Sequence, residues 1–138
     1  LMKKPDPFLR REAAKLGIRG TSREVPLVRD ETGTALVGEA LVRGPEGDRL
    51  VGEAYADDTV VFSGETDTLT VRPTPELPGV RATAARPRWL RRRQWVAARA
   101  VQLGTEAGLL TRDGLTGRRT IKRTTFYRHT EPWRLVSP

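Results

Sequence analysis

Ten cations and one phenol concentrate the chemistry that this sequence offers: Arg88, Arg91, Arg92, Arg93, Arg99, Arg118, Arg119, Lys122, Arg123 and Arg128, with Tyr127 among them. Guanidinium and ammonium groups at this density neutralise phosphates, and each such contact releases counterions, so the expectation is salt-dependent binding of a polyanion. Phe126, Tyr127 and Trp133 lie beside these cations, a pattern in which a ring stacks on a base while its neighbours grip the backbone. The same residues also suit an edge strand whose charges are wet and whose rings pack on the rest of the fold, because exposed strands often carry Lys and Arg.

Other chemical ingredients are sparse. Neither Gly-x-x-x-x-Gly-Lys-Ser/Thr nor Gly-x-Gly-x-x-Gly occurs, so no phosphate cradle of those types is expected. His129 is the single histidine and cysteine is absent. That leaves no thiolate, no histidine pair for zinc, and no Gly-x-Ser-x-Gly for the histidine to serve. Asp57-Asp58 reads as a solvated turn, since a hard cation needs several oxygen ligands at defined spacing. These residues predict no enzyme, no cofactor and no metal.

The charge is unevenly placed. Residues 1–78 carry eleven Lys+Arg and fourteen Asp+Glu, net −3, whereas residues 79–138 carry fourteen and three, net +11. A preference for arginine over lysine accounts for the type of cation but not for the loss of acids after Pro78. Such asymmetry points to nucleic acid, DNA or RNA, or to acidic protein surfaces as partners. No apolar run approaches the roughly 18 residues needed to span a bilayer, and the N-terminal LMKKPDPFLRR has no apolar stretch behind its basic residues, so no membrane partner is expected. The absence of cysteine fits a cytoplasmic or virion-associated setting.

The elements that must position these cations follow from periodicity. Trp89, Val96, Ala100, Leu103, Ala107 and Leu110 recur at three- and four-residue steps, which predicts one long amphipathic, Arg-rich helix over residues 86–110 with Pro87 in its first turn. Asp6-Pro7 and Gly17 bound a short N-terminal helix, Pro7 to Leu16. Between them the period is two. Residues 23–28, 34–43, 49–56, 60–62 and 69–71 read as short strands separated by turns such as Asp30-Glu31-Thr32-Gly33 and Gly44-Pro45-Glu46-Gly47-Asp48. The pentapeptide LVGEA occurs at Leu36–Ala40 and at Leu50–Ala54, which suggests a paired hairpin. Pro73, Pro75, Pro78 and Gly79 read as a linker, and residues 118–128, RRTIKRTTFYR, as a basic strand or hairpin.

The expected fold class is therefore α+β: a short N-terminal helix, a small antiparallel sheet of barrel or sandwich type, the Arg-rich helix, and a basic C-terminal strand or hairpin. The expected division is a mainly β region, 1–78, and a basic region, 79–138, which can also pack as one domain. Two short fragments carry family resemblances. TIKRTTFYRHTE (120–131) resembles the phosphate-contacting loop of a small-subunit ribosomal protein family built on an oligonucleotide-binding barrel. TTFYRHT (124–130) is similar to the end of the recognition helix in tetracycline-repressor-type regulators. The function expected from the residues is non-enzymatic nucleic-acid binding through phosphate contacts, as a ribonucleoprotein or DNA-associated component. The alternative is a structural subunit of a larger assembly, such as a phage head–tail connector or a capsid-decorating virion protein.

Overall fold

In a computed structural model, which describes residues 22–85, 94–129 and 133–136, the chain assembles on one thirteen-residue strand, β10 (Ala100–Arg112). In chain order the strands before it are β1 (Ser22–Val25), β2 (Val28–Asp30), β3 (Ala35–Leu36), β4 (Ala40–Arg43), β5 (Leu50–Ala56), β6 (Thr59–Thr66), β7 (Thr68–Pro73), β8 (Val80–Ala84) and β9 (Val96–Ala98). After it come β11 (Leu115–Thr116), β12 (Ile121–Arg128) and β13 (Trp133–Val136). The first half of β10 pairs with β12 on one side and β5 on the other, and its last four residues, Leu109 to Arg112, pair with β4. The main path is β3-β2-β12-β10-β4-β7-β8-β9, with β5 and β6 branching from β10, and β1 pairs separately with β13. Every pairing is antiparallel.

Among the described residues one core lies between the two halves that β10 joins. Val101, Leu103, Phe126, Ala54, Leu50 and Phe62 come from one half, and Val42, Leu69, Val71, Val80, Ala82 and Ala98 from the other. These positions alternate along β4, β5, β7 and β8, as expected for strands with one face turned inward. Phe126 is buried to 1 % exposure, which stabilises by about 1.5–3 kcal/mol relative to leaving the ring in water.

Two glycines make room, one for a neighbouring backbone and one for a core side chain. A Cβ on Gly52 of β5 would stand 2.0 Å from the carbonyl oxygen of Gly104 in β10, and one on Gly108 would stand 2.9 Å from Val42 Cγ1. The register of β10 against β12 shifts between Gly104 and Gly108, and a shift of this kind bends a strand and re-aims its side chains.

The expected Arg-rich helix is not present. Its described part, from Gln94 onward, is β9 and β10, and the described chain is nearly all antiparallel sheet, with no helix beyond a 3-10 turn at Pro45–Gly47. The α+β expectation is corrected accordingly. The physical reason lies in two interruptions. Ala98, Val101, Leu103 and Gly108 are buried, and the break at Arg99 and the register shift after Gly104 convert steps of two into steps of three and five. Apolar residues then fall at helix-like intervals within a strand. Gly104 and Gly108 also weigh against a helix by about 1 kcal/mol each. The N-terminal helix expected at Pro7 to Leu16 and the stretch Arg86 to Arg93 lie outside the described residues.

The two LVGEA copies do not pair with each other. Leu36–Ala40 spans the break between β3 and β4, Leu50–Ala54 lies within β5, and both strands line the same side of β10. Pro73 to Gly79 is a hairpin turn: β7 and β8 pair directly, and Thr74 N donates to the Gly79 carbonyl at 2.9 Å. Strands from both sides of Pro78 thus share one sheet. Among the described residues no helix is long and apolar enough to cross a membrane.

Candidate functional site

A chain of polar contacts crosses one end of the fold, and it begins at a carboxylate without solvent exposure. Asp30 closes the β2–β3 turn: its Oδ1 accepts from Thr32 N at 2.9 Å, Thr32 Oγ1 at 2.5 Å and Thr34 N at 3.1 Å. Its other oxygen, Oδ2, faces Arg112 of β10 in an ion pair. Burial alone would raise the Asp30 pKa, but the hydrogen bonds from Thr32 and Thr34 and the Arg112 charge outweigh it and hold the carboxyl below its ordinary value. The neighbouring Glu31 carboxylate accepts from Thr124 Oγ1 at 3.2 Å and Thr125 N at 3.1 Å, which ties the same turn to β12.

Next to Arg112, Asp113 takes a left-handed φ of 49° in the turn to β11, a conformation that Asp and Asn tolerate better than most residues. Its carboxylate collects three successive amides of the β3–β4 loop: Gly38 N at 2.6 Å and Glu39 N at 2.9 Å on Oδ1, and Val37 N at 3.0 Å on Oδ2. Asp113 N donates in return to the Glu39 carbonyl at 2.8 Å. This fixes Glu39, whose Oε2 accepts from Arg72 Nε at 2.8 Å and from its terminal nitrogen at 2.6 Å. Arg72 stands opposite Arg81 in the β7–β8 register. Trp95, just before β9, lies over both guanidiniums, 5.2 Å from Arg72 Cζ and 4.7 Å from Arg81 Cζ to the ring centroid.

The acids and cations of this belt have different capacities. Asp30 and Asp113 spend their oxygens on amides, a hydroxyl and Arg112, which makes them structural. Asp57 does the same elsewhere, accepting the amides of Arg99 and Ala100 at 3.1 to 3.2 Å. Among the described residues no group of three or more His, Asp or Glu converges to hold a metal ion. Arg72 gives two nitrogens to Glu39, whereas Arg81 has no acidic partner among the described residues, and a guanidinium without one is suited to oxyanions.

The cations singled out from the sequence are not gathered at this belt. Arg88, Arg91, Arg92 and Arg93 lie outside the described residues. Arg99 is exposed between β9 and β10, and Arg128, half-buried, packs its stem over Gly79 while its amide donates to the Arg99 carbonyl at 2.8 Å. Arg118 and Arg119 are exposed on the connection into β12, Lys122 and Arg123 are exposed on its first half, and Tyr127 is half-buried near its end. The two groups stand at opposite ends of β12. Phe126, grouped with them for stacking, is in the core. Glu39, Arg72, Arg81, Trp95 and Asp113 went unmarked because their partners are distant in sequence; the one local signal among them is the dipeptide Asp113-Gly114, a common turn pair.

No protein-family model matches the sequence, and no curated protein matches it. Solved structures do match. An NAD kinase from Archaeoglobus fulgidus in complex with ATP superposes with a TM-score of 0.64 at 13 % identity, covering 92 % of this chain and 59 % of that one. A diacylglycerol kinase from Bacillus anthracis gives 0.66 at 10 %, covering 92 % and 58 %, and yeast NADH kinase complexed with NADH gives 0.61 at 10 %, covering 95 % and 49 %. The chain shares its fold with part of each. It spans about half to three-fifths of the length of these kinases.

This likeness corrects the functional expectation. A non-enzymatic nucleic-acid-binding or ribonucleoprotein component, and equally a virion structural subunit, rested on charge placement alone, whereas the fold is one carried by kinases. The resemblance of 124–130 to the end of a recognition helix is corrected as well: Thr124 to Arg128 is strand, flanked by β10 and β2. For 120–131, residues 121–128 form that same inner strand rather than a free phosphate-contacting loop.

Proposed function

We propose that this chain is part of a kinase, one that moves the terminal phosphoryl group of a nucleoside triphosphate to a hydroxyl acceptor. The observation that carries the reading is the superposition of at least 92 % of the chain on three kinase structures. Two of these structures are complexes, with ATP and with NADH, and the third is a diacylglycerol kinase. The acceptor class is accordingly a dinucleotide or a lipid alcohol. In the transfer the bond between the terminal phosphorus and its bridging oxygen breaks, a new bond forms to the acceptor oxygen, and the acceptor hydroxyl gives up its proton.

Such a transfer needs positive charge around the phosphoryl oxygens and a divalent cation between the phosphates. Arg72 and Arg81 supply charge of the first kind. The described residues do not fit the second requirement, because no group of three or more His, Asp or Glu converges among them, so no step is assigned to a metal held by them. The role proposed for this β-rich part is to bind and orient phosphate-bearing ligands. Phosphorus NMR of the chain mixed with ATP, magnesium and either NAD, NADH or dispersed diacylglycerol tests the reading. The expected result is a new phosphate ester in one mixture. Unchanged acceptors in all of the mixtures would overturn it.

A further inference from the structure

We infer that Arg81, with Arg72 beside it and Trp95 over both, forms a subsite for the phosphate group of a bound ligand. Arg72 and Arg81 are cross-strand partners, and like charges placed directly opposite each other destabilise a sheet unless something offsets them. Glu39 offsets only one of them, since both of its contacts go to Arg72. Arg81 has no acidic partner among the described residues, and its Nε is enclosed without a hydrogen-bond partner. The Trp95 face partly compensates both cations, at 4.7 and 5.2 Å, but a ring accepts no N–H in the plane of the guanidinium fork. A half-buried guanidinium with unspent donors is left at this end of the sheet. Phosphate fits its two terminal nitrogens, the Nε being enclosed: two oxygens match that pair, and the anion neutralises the uncompensated charge.

The subsite rests on the kinase reading for its ligand class, and two sources share its chemistry, the phosphates of the nucleotide donor and a phosphate on the acceptor or product. Trp95 makes the site observable, because an anion bound at Arg81 alters the charge beneath the indole. The test is a tryptophan-fluorescence titration of the 138-residue chain with pyrophosphate, ADP and glycerol 3-phosphate, repeated on Arg81→Gln, Arg81→Lys and Trp95→Phe. The expected result is a saturable change with at least one ligand that Trp95→Phe abolishes. Arg81→Gln should weaken that ligand roughly tenfold or more, in line with loss of one charge-assisted bidentate contact. Arg81→Lys, which keeps the charge and loses the fork, should fall between. ADP or pyrophosphate binding tighter than glycerol 3-phosphate assigns the site to the donor, and the reverse order assigns it to the acceptor side.

Equal affinities in wild type and Arg81→Gln would overturn the subsite, as would a variant that lowers the melting temperature while leaving ligand affinity unchanged, since Arg81 would then be cover for Trp95 and nothing more. The two readings fail separately. Arg81-dependent pyrophosphate binding without any phosphoryl transfer would remove the kinase reading and leave the subsite. Transfer that is indifferent to Arg81→Gln would do the opposite.

Discussion

Glu39 and Arg72, thirty-three positions apart, meet through a single carboxylate oxygen that accepts two N–H groups of the guanidinium, at 2.8 and 2.6 Å. The pair joins the β3–β4 loop to β7 and sets where the Arg72 charge stands beneath Trp95. Both side chains are 41 % exposed, so solvent screens the interaction and its worth is about 0–1 kcal/mol. Glu39→Gln should therefore cost little stability in a urea melt while shifting the tryptophan emission, because Arg72 is freed to move. A loss above about 2 kcal/mol would mean that the carboxylate supports more than this pair.

Asp30 is a different case, being wholly buried while Arg112 is 27 % exposed on its side chain. Asp30→Asn should cost about 2–4 kcal/mol, somewhat under the roughly 3–5 seen when a fully buried pair is broken, because water reaches the arginine. The pH dependence follows in sign. The folded pKa lies below the ordinary 3.8, so the contribution is complete above that value and is lost as pH falls through the lower folded one. Melting temperatures from pH 7 to 2.5 should drop at the acid end in wild type and show a smaller drop in Asp30→Asn; parallel curves would show that Asp30 is not the group involved.

Asp113 anchors three amides of the β3–β4 loop from a backbone φ of 49°. Asp113→Asn preserves the tolerated conformation but presents one acceptor oxygen in place of two, whereas Asp113→Ala removes all acceptors and disfavours the φ. The expected order of stability is wild type, Asn, Ala, with the Ala variant lower by about 1.5–3 kcal/mol, the range for hydrogen bonds to a charged group. Hydrogen exchange at Val37, Gly38 and Glu39 should accelerate in the same order. Unchanged protection at these amides would exclude the anchoring role.

Glycine variants separate the strand from a helix over residues 100–112. Nothing lies within 4 Å of a Cβ built on Gly104, while one on Gly108 meets Val42 at 2.9 Å and one on Gly52 meets backbone at 2.0 Å. Gly104→Ala should be near neutral, Gly108→Ala destabilising and Gly52→Ala the most damaging, by about 2–4 kcal/mol or more, since a backbone atom cannot move aside as a side chain can. In a helix both Gly104→Ala and Gly108→Ala would instead stabilise by about 1 kcal/mol. Chemical denaturation of the three variants decides between the two patterns.

The strands around Val42, Leu50 and Leu69 were legible because short apolar, β-branched runs there are punctuated by turn residues. In β9 and β10 it was not: the break at Arg99 and the shift between Gly104 and Gly108 produce spacings that a helix also produces, and strand pairing, which settles the matter, is a long-range property. The LVGEA copies showed the same limit, since two similar strands carry no statement of which neighbour each pairs with. The belt was almost silent in sequence. Glu39, Arg72 and Trp95 become neighbours only once β4, β7, β8 and β9 are side by side, and the dense cations near the C-terminal end drew attention to charge that the fold distributes along the two ends of β12.

The most direct measurement of the kinase reading follows labelled phosphate. The chain is incubated with magnesium and ATP labelled at the terminal phosphate, with NAD, NADH or diacylglycerol in separate mixtures, and the label is then located by chromatography. Label in one acceptor, rising with protein concentration and reduced in Arg81→Gln, is the expected result. Label found only in ATP and inorganic phosphate in every mixture would contradict it.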